Sequence, residues 1–247
     1  MKHIKWQVFF VAILFVVSAF FYYLNYLAIH DARHIIDYFL IDMGFVPFEV
    51  LLVTLIFERL LHIQERRMVS KKMHMVAGAF YSEVGMRLLK QFIFFFGLTE
   101  ELKHGLLVNS RWVVKDYLRA IKQVRGDDFS IDAKKGNLED MRKFLSEERG
   151  FLLGLLENPN VLEHESFAEL LWAVFHLTEE LCARVSLKNL PEPDYEHLGN
   201  DIKRAYRQLL MGWLVHLQHL SKDYPYLFSL AVRTNPFDDT ASAVIIK

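Results

Sequence analysis

The chain has 247 residues, of which 53% are hydrophobic, and its formal net charge is −1. Without an excess of positive charge the chain lacks the electrostatic footprint of a nucleic-acid-binding protein, so we expect no nucleic-acid partner. A single cysteine, Cys182, excludes an intrachain disulfide framework, and its apolar neighbours predict a small buried side chain. With only six prolines and eleven glycines to interrupt it, the chain is predicted to be all-α.

The first predicted element is an apolar helix near the N-terminus. Residues 6–29 contain no charged side chain. About 20 residues suffice for a helix to cross a bilayer, so we predict a first transmembrane span at about 6–27. The stretch ends on tyrosines and an asparagine, which suit a membrane–water interface, and not on a small-residue cleavage pattern. The sequence therefore predicts an uncleaved membrane anchor.

A second apolar segment at about 38–57 predicts a second span, so that residues 1–60 form a two-helix transmembrane hairpin. Lysine and arginine are sparse between the two spans and frequent outside them. The positive-inside rule therefore predicts a multi-pass protein of the inner (plasma) membrane with both termini in the cytoplasm. Four basic residues after the second span are predicted to contact lipid head groups: Arg66, Arg67, Lys71 and Lys72.

Two carboxylates lie within the predicted second span. Asp42 and Glu49 are seven positions apart and share one face of a helix. A carboxylate at the centre of a membrane helix costs about 2.5–3.5 kcal/mol, which makes both residues candidates for an ion pathway in an oligomer. Alternatively, Pro47 starts the membrane helix, Asp42 lies among the outer head groups, and Glu49 is in a first turn that favours negative charge. Both interpretations stay open.

The link between the two spans contains ligand-type side chains. His30, His34 and Asp37 have the spacing of residues that share a helix face. Imidazole and carboxylate groups on one face suit a divalent metal, so these residues form one candidate metal site. The other interpretation is that polar residues keep a short link in water.

The second span is predicted to continue as a long helix through a helical stalk at 61–97. Gly97 predicts the end of this helix, and Thr99 predicts the N-cap of the next one. Residues 98–235 are predicted to form a cytoplasmic helical bundle, followed by a mobile tail that begins at about Asn235 and covers 236–247. Bundle helices are predicted at about 110–124, 137–157, 161–186 and 194–222, the second capped by Asn137.

A second candidate metal site lies on one of these predicted helices. Glu165, Glu169, His176 and Glu180 project within about 60° of one another at 100° per residue. Their side chains suit a divalent metal. The same stripe is also what an amphipathic helix turns toward water while its apolar residues pack inward.

Motifs of common enzymes are absent from the sequence. We find no Gly-rich phosphate loop, nucleophile elbow, CxxC pair or HExxH motif. A ferritin-like di-iron bundle needs two Glu-x-x-His pairs, and Glu101 with His104 supplies only one. Catalysis is therefore disfavoured, and no cofactor is predicted apart from a possible divalent metal.

These patterns lead to three hypotheses of function. The first is a self-associating interaction or signalling component of the membrane, whose partners are the lipid bilayer, further copies of the chain and a cytoplasmic protein. The second is an oligomeric ion channel or ion-sensing assembly that uses Asp42 and Glu49. The third is a membrane-tethered metalloprotein.

Overall fold

The computed structural model describes residues 2–29, 32–97 and 99–244, with side chains in 12–27, 33, 36–64, 72–97 and 99–244. This part of the chain is all-helical, as predicted, apart from one isolated bridge between Phe96 and Ile131. The α-helices are α1 (Lys2–Ile29), α2 (Ala32–Phe80), α3 (Met86–Phe92), α4 (Glu100–Gly105), α5 (Val114–Gly126), α6 (Leu138–Glu147), α7 (Arg149–Leu156), α8 (Pro159–Leu162), α9 (Glu165–Ala183), α10 (Glu192–Asp223) and α11 (Pro225–Arg233). A π-helical turn (Tyr81–Gly85) precedes α3, and a 3-10 turn (Ile93–Phe95) follows it.

The chain divides into two compact units, Met1–Arg66 and Arg67–Lys247. In the first unit, the stretch Ile36–Gln64 of α2 is long and apolar enough to cross a membrane, and its side chains are exposed. The apolar stretch Ala12–Leu27 of α1 is shorter than a full span. Among the described residues there is thus one candidate membrane helix, and the predicted two-span hairpin is not confirmed.

The second unit is built around α9 and α10, which pack along each other. On α10 the side chains that recur at near-heptad spacing are buried, because they share one helix face: Leu198, Ile202, Ala205, Leu209, Trp213, His216 and Leu220. α6 and α7 pack on α9, whereas α3, α5 and α11 pack on α10. At the contact with α3, Tyr206 of α10 meets Phe92 and stacks on Phe96 with ring centroids 4.2 Å apart.

Two predicted caps are confirmed. The Thr99 side chain accepts a hydrogen bond from the backbone N–H of Leu102, and Asn137 accepts one from Asp140. Each cap satisfies a backbone N–H that the first helical turn leaves without a partner.

Three features of the second unit differ from the sequence predictions. The helix expected over 137–157 is two helices, α6 and α7, which meet at Glu148. Cys182 is exposed, so its predicted burial is wrong: it follows the buried Leu181, and successive helix residues point about 100° apart. The first residues of the predicted mobile tail are packed, because the Asn235 amide donates to the Leu106 carbonyl and Phe237 packs against Trp213.

The π-helical turn brings Tyr81 against the middle of α10. Its hydroxyl is buried and donates a hydrogen bond of 3.0 Å to the Leu209 carbonyl. The space that a side chain at position 212 would need is already occupied, since a Cβ on Gly212 would lie 2.5 Å from the Tyr81 hydroxyl oxygen. A glycine inside a helix normally destabilises it by about 1 kcal/mol relative to alanine. The close approach of Tyr81 explains why a glycine is nevertheless present at position 212.

Candidate metal centre

Two facing helices of the second unit each carry a histidine and a carboxylate one turn apart. His176 and Glu180 lie on α9, and His197 and Asp201 lie on α10. A spacing of four residues places both members of each pair on one helix face. His176 faces Asp201 and Glu180 faces His197, so α9 and α10 run antiparallel at this point. The packing of the two helices thus brings four potential ligands together.

The Oδ2 atom of Asp201 is at the centre of this group. It lies 3.5 Å from Nε2 of His176 and 3.4 Å from Nε2 of His197. Glu180 completes the arrangement, with Oε1 at 3.9 Å from Nε2 of His176 and Oε2 at 3.4 Å from Nε2 of His197. One ligand atom each from His176, Glu180 and Asp201 lies within 4.8 Å of the other two.

Asp201 differs from its neighbours in burial. Its side chain is only 3% exposed, whereas those of His176 and His197 are 45% and 52% exposed. The Oδ2 atom is buried and has no hydrogen-bond partner within the described part of the chain. A buried carboxylate oxygen without a partner is unfavourable, so this atom favours a positive charge at the point where the imidazoles converge.

An arginine holds the second carboxylate in place. Arg184 donates to Oε2 of Glu180 at 2.9 Å and forms two hydrogen bonds to the carboxylate of Asp194. The hydrogen bonds from this guanidinium are the main reason that the pKa values of the Glu180 and Asp194 carboxyls are lowered. Glu180 is therefore ionised near neutral pH, and the orientation of its carboxylate is fixed.

The distances of the group fit coordination of one small divalent cation. Zinc binds imidazole nitrogen and carboxylate oxygen at about 2.0–2.2 Å, and the edge of a tetrahedron of that size is about 3.4 Å. The nitrogen–oxygen separations are 3.4–3.9 Å, with Glu180 facing His176 through Oε1 and His197 through Oε2. One ligand atom each from His176, Glu180 and Asp201 meets the distance requirement of a shared ion, and His197 lies beside these three. One imidazole with two carboxylates, and a second imidazole next to them, suit zinc, iron or manganese. The half-exposed histidines leave the group open to ions from solvent.

The structure brings together only part of the predicted stripe. His176 and Glu180 belong to the group, but Glu165 lies in the first turn of α9 and Glu169 instead accepts a 3.4 Å hydrogen bond from Gln208. Both glutamates lie outside the buried part of α9. Only His176 and Glu180 lie opposite the ligand-type side chains of α10, and this is why the rest of the stripe is not part of the group.

Sequence reasoning did not predict Asp201 or His197 as members of this group. The spacing from Asp194 to His197 resembles a Glu-x-x-His pair, but Asp194 binds Arg184, and the partner of His197 is Asp201 one turn later. A search for two helices that each carry a histidine four residues before a carboxylate would have found both pairs.

The other predicted site residues lie elsewhere or outside the described residues. Asp42 and Glu49 are exposed on α2, as are Asp37 and Lys72. His30 and the side chains of His34, Arg66, Arg67 and Lys71 lie outside the described residues. Glu101 and His104 are on α4, away from the group. The roles proposed for these residues stay predictions.

Comparison with known proteins finds related sequences but no described activity. No solved structure matches the chain. A relative from Methanocaldococcus jannaschii, described as "Uncharacterized protein MJ1433", is 44% identical over 218 residues, which are 88% of this chain and 87% of the relative. Two family models match, the N-terminal helical domain of MJ1433 at residues 1–61 and its C-terminal helical domain at residues 69–233. The chain therefore belongs to the MJ1433 family.

Proposed function

We propose that this protein binds one divalent transition-metal ion in its second unit and is anchored in the membrane by its first unit. The observation that carries the metal proposal is the buried Oδ2 of Asp201, which lies within 3.5 Å of the Nε2 atoms of His176 and His197. A cation coordinated there would give the buried carboxylate oxygen the partner that it lacks.

Metal binding is tested by titrating the full-length protein, purified in detergent and treated with a chelator, with Zn²⁺ and Co²⁺. We expect one metal ion per chain, and a Co²⁺ spectrum typical of tetrahedral coordination. The variants Asp201→Asn and His176→Gln should each weaken binding at least tenfold, because each removes a ligand.

Matched control substitutions use residues outside the group. Glu165→Gln on α9 and His104→Gln on α4 make similar chemical changes and should leave the affinity unchanged. Substoichiometric binding by the wild type, or an equal affinity for the wild type and Asp201→Asn, would show that the four side chains form only a network of ion pairs.

The proposed anchor is the stretch Ile36–Gln64, which is 29 residues long. As a helix it measures about 43 Å, longer than the hydrocarbon core of about 30 Å. Its exposed apolar side chains would be unfavourable in water, which supports insertion in lipid. We further propose that residues 6–27 form a second pass, with both termini in the cytoplasm.

Self-association in the membrane is the companion proposal. Asp42 and Glu49 are exposed on the helix that forms the proposed anchor. Contact with another copy would remove both carboxylates from lipid, where an unpaired carboxylate is unfavourable. An interaction or signalling role would follow from such an assembly, and the ion-pathway hypothesis for the same residues stays a prediction.

One membrane preparation tests both the anchor and the assembly. We expect the chain to remain in the membrane pellet after alkaline carbonate extraction. In sealed vesicles that keep the cytoplasmic side inside, tags at both termini should be protected from added protease. Crosslinking should give species larger than a monomer. Release into the supernatant would refute the anchor, tags in opposite compartments would refute the second pass, and a strictly monomeric product would refute self-association.

A further inference from the structure

The second unit contains a cavity of about 510 Å³ that the metal proposal does not use. Its wall is formed by the segment from His74 to Met86, by α10 from Trp213 to Leu220, and by α11 with the residues at its two ends. Cavities of about 300–1,000 Å³ are typical of small-molecule sites. The lining is mostly apolar, with leucine, methionine and aromatic side chains.

Three histidines interrupt this apolar lining in two ring stacks. His74 stacks on His219 with ring centroids 3.6 Å apart, and His216 stacks on Tyr81 at 5.1 Å. Burial lowers the pKa of both His74 and His216 to about 4, with repulsion between the histidines adding to the shift. The carboxylate beside the stacks, Asp223, is already bound to Nδ1 of His219 at 2.9 Å, and Lys222 beside it adds to the lowering of the His219 pKa that burial causes. The histidines of the wall are therefore neutral at pH 7.

One buried side-chain atom in this wall lacks a hydrogen-bond partner within the described part of the chain. His216 is 9% exposed, and its Nδ1 is buried without a hydrogen bond among the described residues. The nearby Tyr81 hydroxyl cannot supply one, because it already donates to the Leu209 carbonyl. His216 lines this cavity and also a neighbouring one of about 180 Å³, so a molecule in either space lies beside the ring that carries the unpaired atom.

We propose that the larger cavity binds an uncharged, mainly apolar small molecule that hydrogen-bonds through a hydroxyl or carbonyl oxygen to Nδ1 of His216. The apolar lining selects against charged ligands, because a charge moved there from water would lose its hydration without gaining a counter-charge. The unpaired nitrogen favours a ligand with an oxygen atom over a pure hydrocarbon. A hydrocarbon would leave the buried nitrogen of His216 without a hydrogen bond, and this lowers its affinity. This inference does not depend on the metal site, with which it shares no residue.

The proposal is tested with three probes of one ring system: 2-naphthol, naphthalene and naphthalene-2-sulfonate. The full-length protein is dialysed to equilibrium in detergent against buffer with the same micelles, which cancels partition into detergent. We expect 2-naphthol to bind about five to ten times more tightly than naphthalene, the ratio for one neutral hydrogen bond. The sulfonate should show no retention.

Two variants separate the cavity from the hydrogen bond. Gly78→Leu fills the space, because a Cβ at that position points to the His216 ring at 3.7 Å, and it should abolish retention of both uncharged probes. His216→Phe should retain both uncharged probes but lose the preference for 2-naphthol. Gly154→Leu is the matched control, since this glycine is also helical and a Cβ added to it would meet no neighbouring side chain within 4 Å. Ala231→Leu is a second filling variant, used if the thermal transition of Gly78→Leu is lost.

Each remaining outcome overturns a defined part of the proposal. Equal retention by the wild type and both filling variants means that the probes bind elsewhere and refutes binding in this cavity. A preference for 2-naphthol that survives in His216→Phe refutes the role of Nδ1. Retention of the sulfonate at the level of 2-naphthol shows an anion site, contrary to the proposed ligand class.

Discussion

Lowering the pH from 7 to 4 is expected to reduce the free energy of unfolding by about 3 kcal/mol through His216 alone. Burial lowers the pKa of this imidazole from 6.5 to about 4 in the folded protein. Each pKa unit corresponds to about 1.4 kcal/mol. Between these two pKa values the unfolded chain binds a proton that the folded chain does not, so protonation favours unfolding.

The sign and the range of this effect follow from the direction of the shift. The stabilising contribution of neutral His216 is complete above pH 6.5, is lost as the pH falls toward 4, and does not change further below that value. His74 and His219 act in the same direction, because their pKa values are also lowered by burial. The ion-paired carboxyls of Glu180 and Asp194 have lowered pKa values and therefore contribute at lower pH.

Urea denaturation of the full-length protein in mild detergent at pH 7, 6, 5 and 4, followed by circular dichroism, measures this loss. The variant His216→Leu should show a smaller decrease in stability over the same range, whatever its stability at pH 7. His104→Leu removes a histidine outside the buried core and is the control that should keep the wild-type slope. Identical slopes for the wild type and His216→Leu would show that the buried imidazole is not the group responsible.

Replacing Gly212 by alanine is expected to destabilise the second unit by about 1–2 kcal/mol, although the same change usually stabilises a helix by about 1 kcal/mol. The new Cβ would lie 2.5 Å from the Tyr81 hydroxyl oxygen and 3.3 Å from Cδ2 of Leu170. Moving the hydroxyl breaks its bond to the Leu209 carbonyl and leaves a buried donor unpaired, which costs about 1–3 kcal/mol.

A double-mutant cycle identifies the hydroxyl as the cause. In a Tyr81→Phe background the conflicting oxygen is absent, and the next tyrosine atom is 3.7 Å from the new Cβ, an ordinary contact distance. There Gly212→Ala should be neutral or stabilising, so the two substitutions should couple by about 1–3 kcal/mol. Gly154→Ala, on an open helix surface, should be stabilising in both backgrounds. Additive effects of Tyr81→Phe and Gly212→Ala would rule out the steric conflict.

Local signals in the sequence predicted those parts of the fold that depend on local chemistry. The caps at Thr99 and Asn137 are confirmed because each depends on one side chain and the next helical turn. The break at Glu148 has no proline or N-cap signal in the sequence, so it could not be predicted. The packing of Phe237 on Trp213 depends on contacts between residues distant in sequence, and the same holds for the contact of Tyr81 with α10.

The candidate site shows the same limit. Periodicity on α9 alone predicted His176 and Glu180, because one helix face can be deduced from spacing. Asp201 and His197 came together with them only through the antiparallel packing of α9 on α10, and a single sequence does not specify which turns of two helices meet. The prediction for Cys182 failed for a related reason, since apolar neighbours in sequence need not share its face of the helix.

The π-helical turn Tyr81–Gly85 lies between His74 and Leu88 and constrains how many residues can separate them. Such a turn holds one residue more than regular helix, and that residue rotates all following side chains by about 100°. His74 reaches the cavity before the turn, and Leu88 reaches the core after it. If one residue of the turn were deleted, His74 and Leu88 could not both keep their present positions. Within the MJ1433 family, a one-residue gap at this place would therefore mark members in which the segment before the turn no longer lines this cavity.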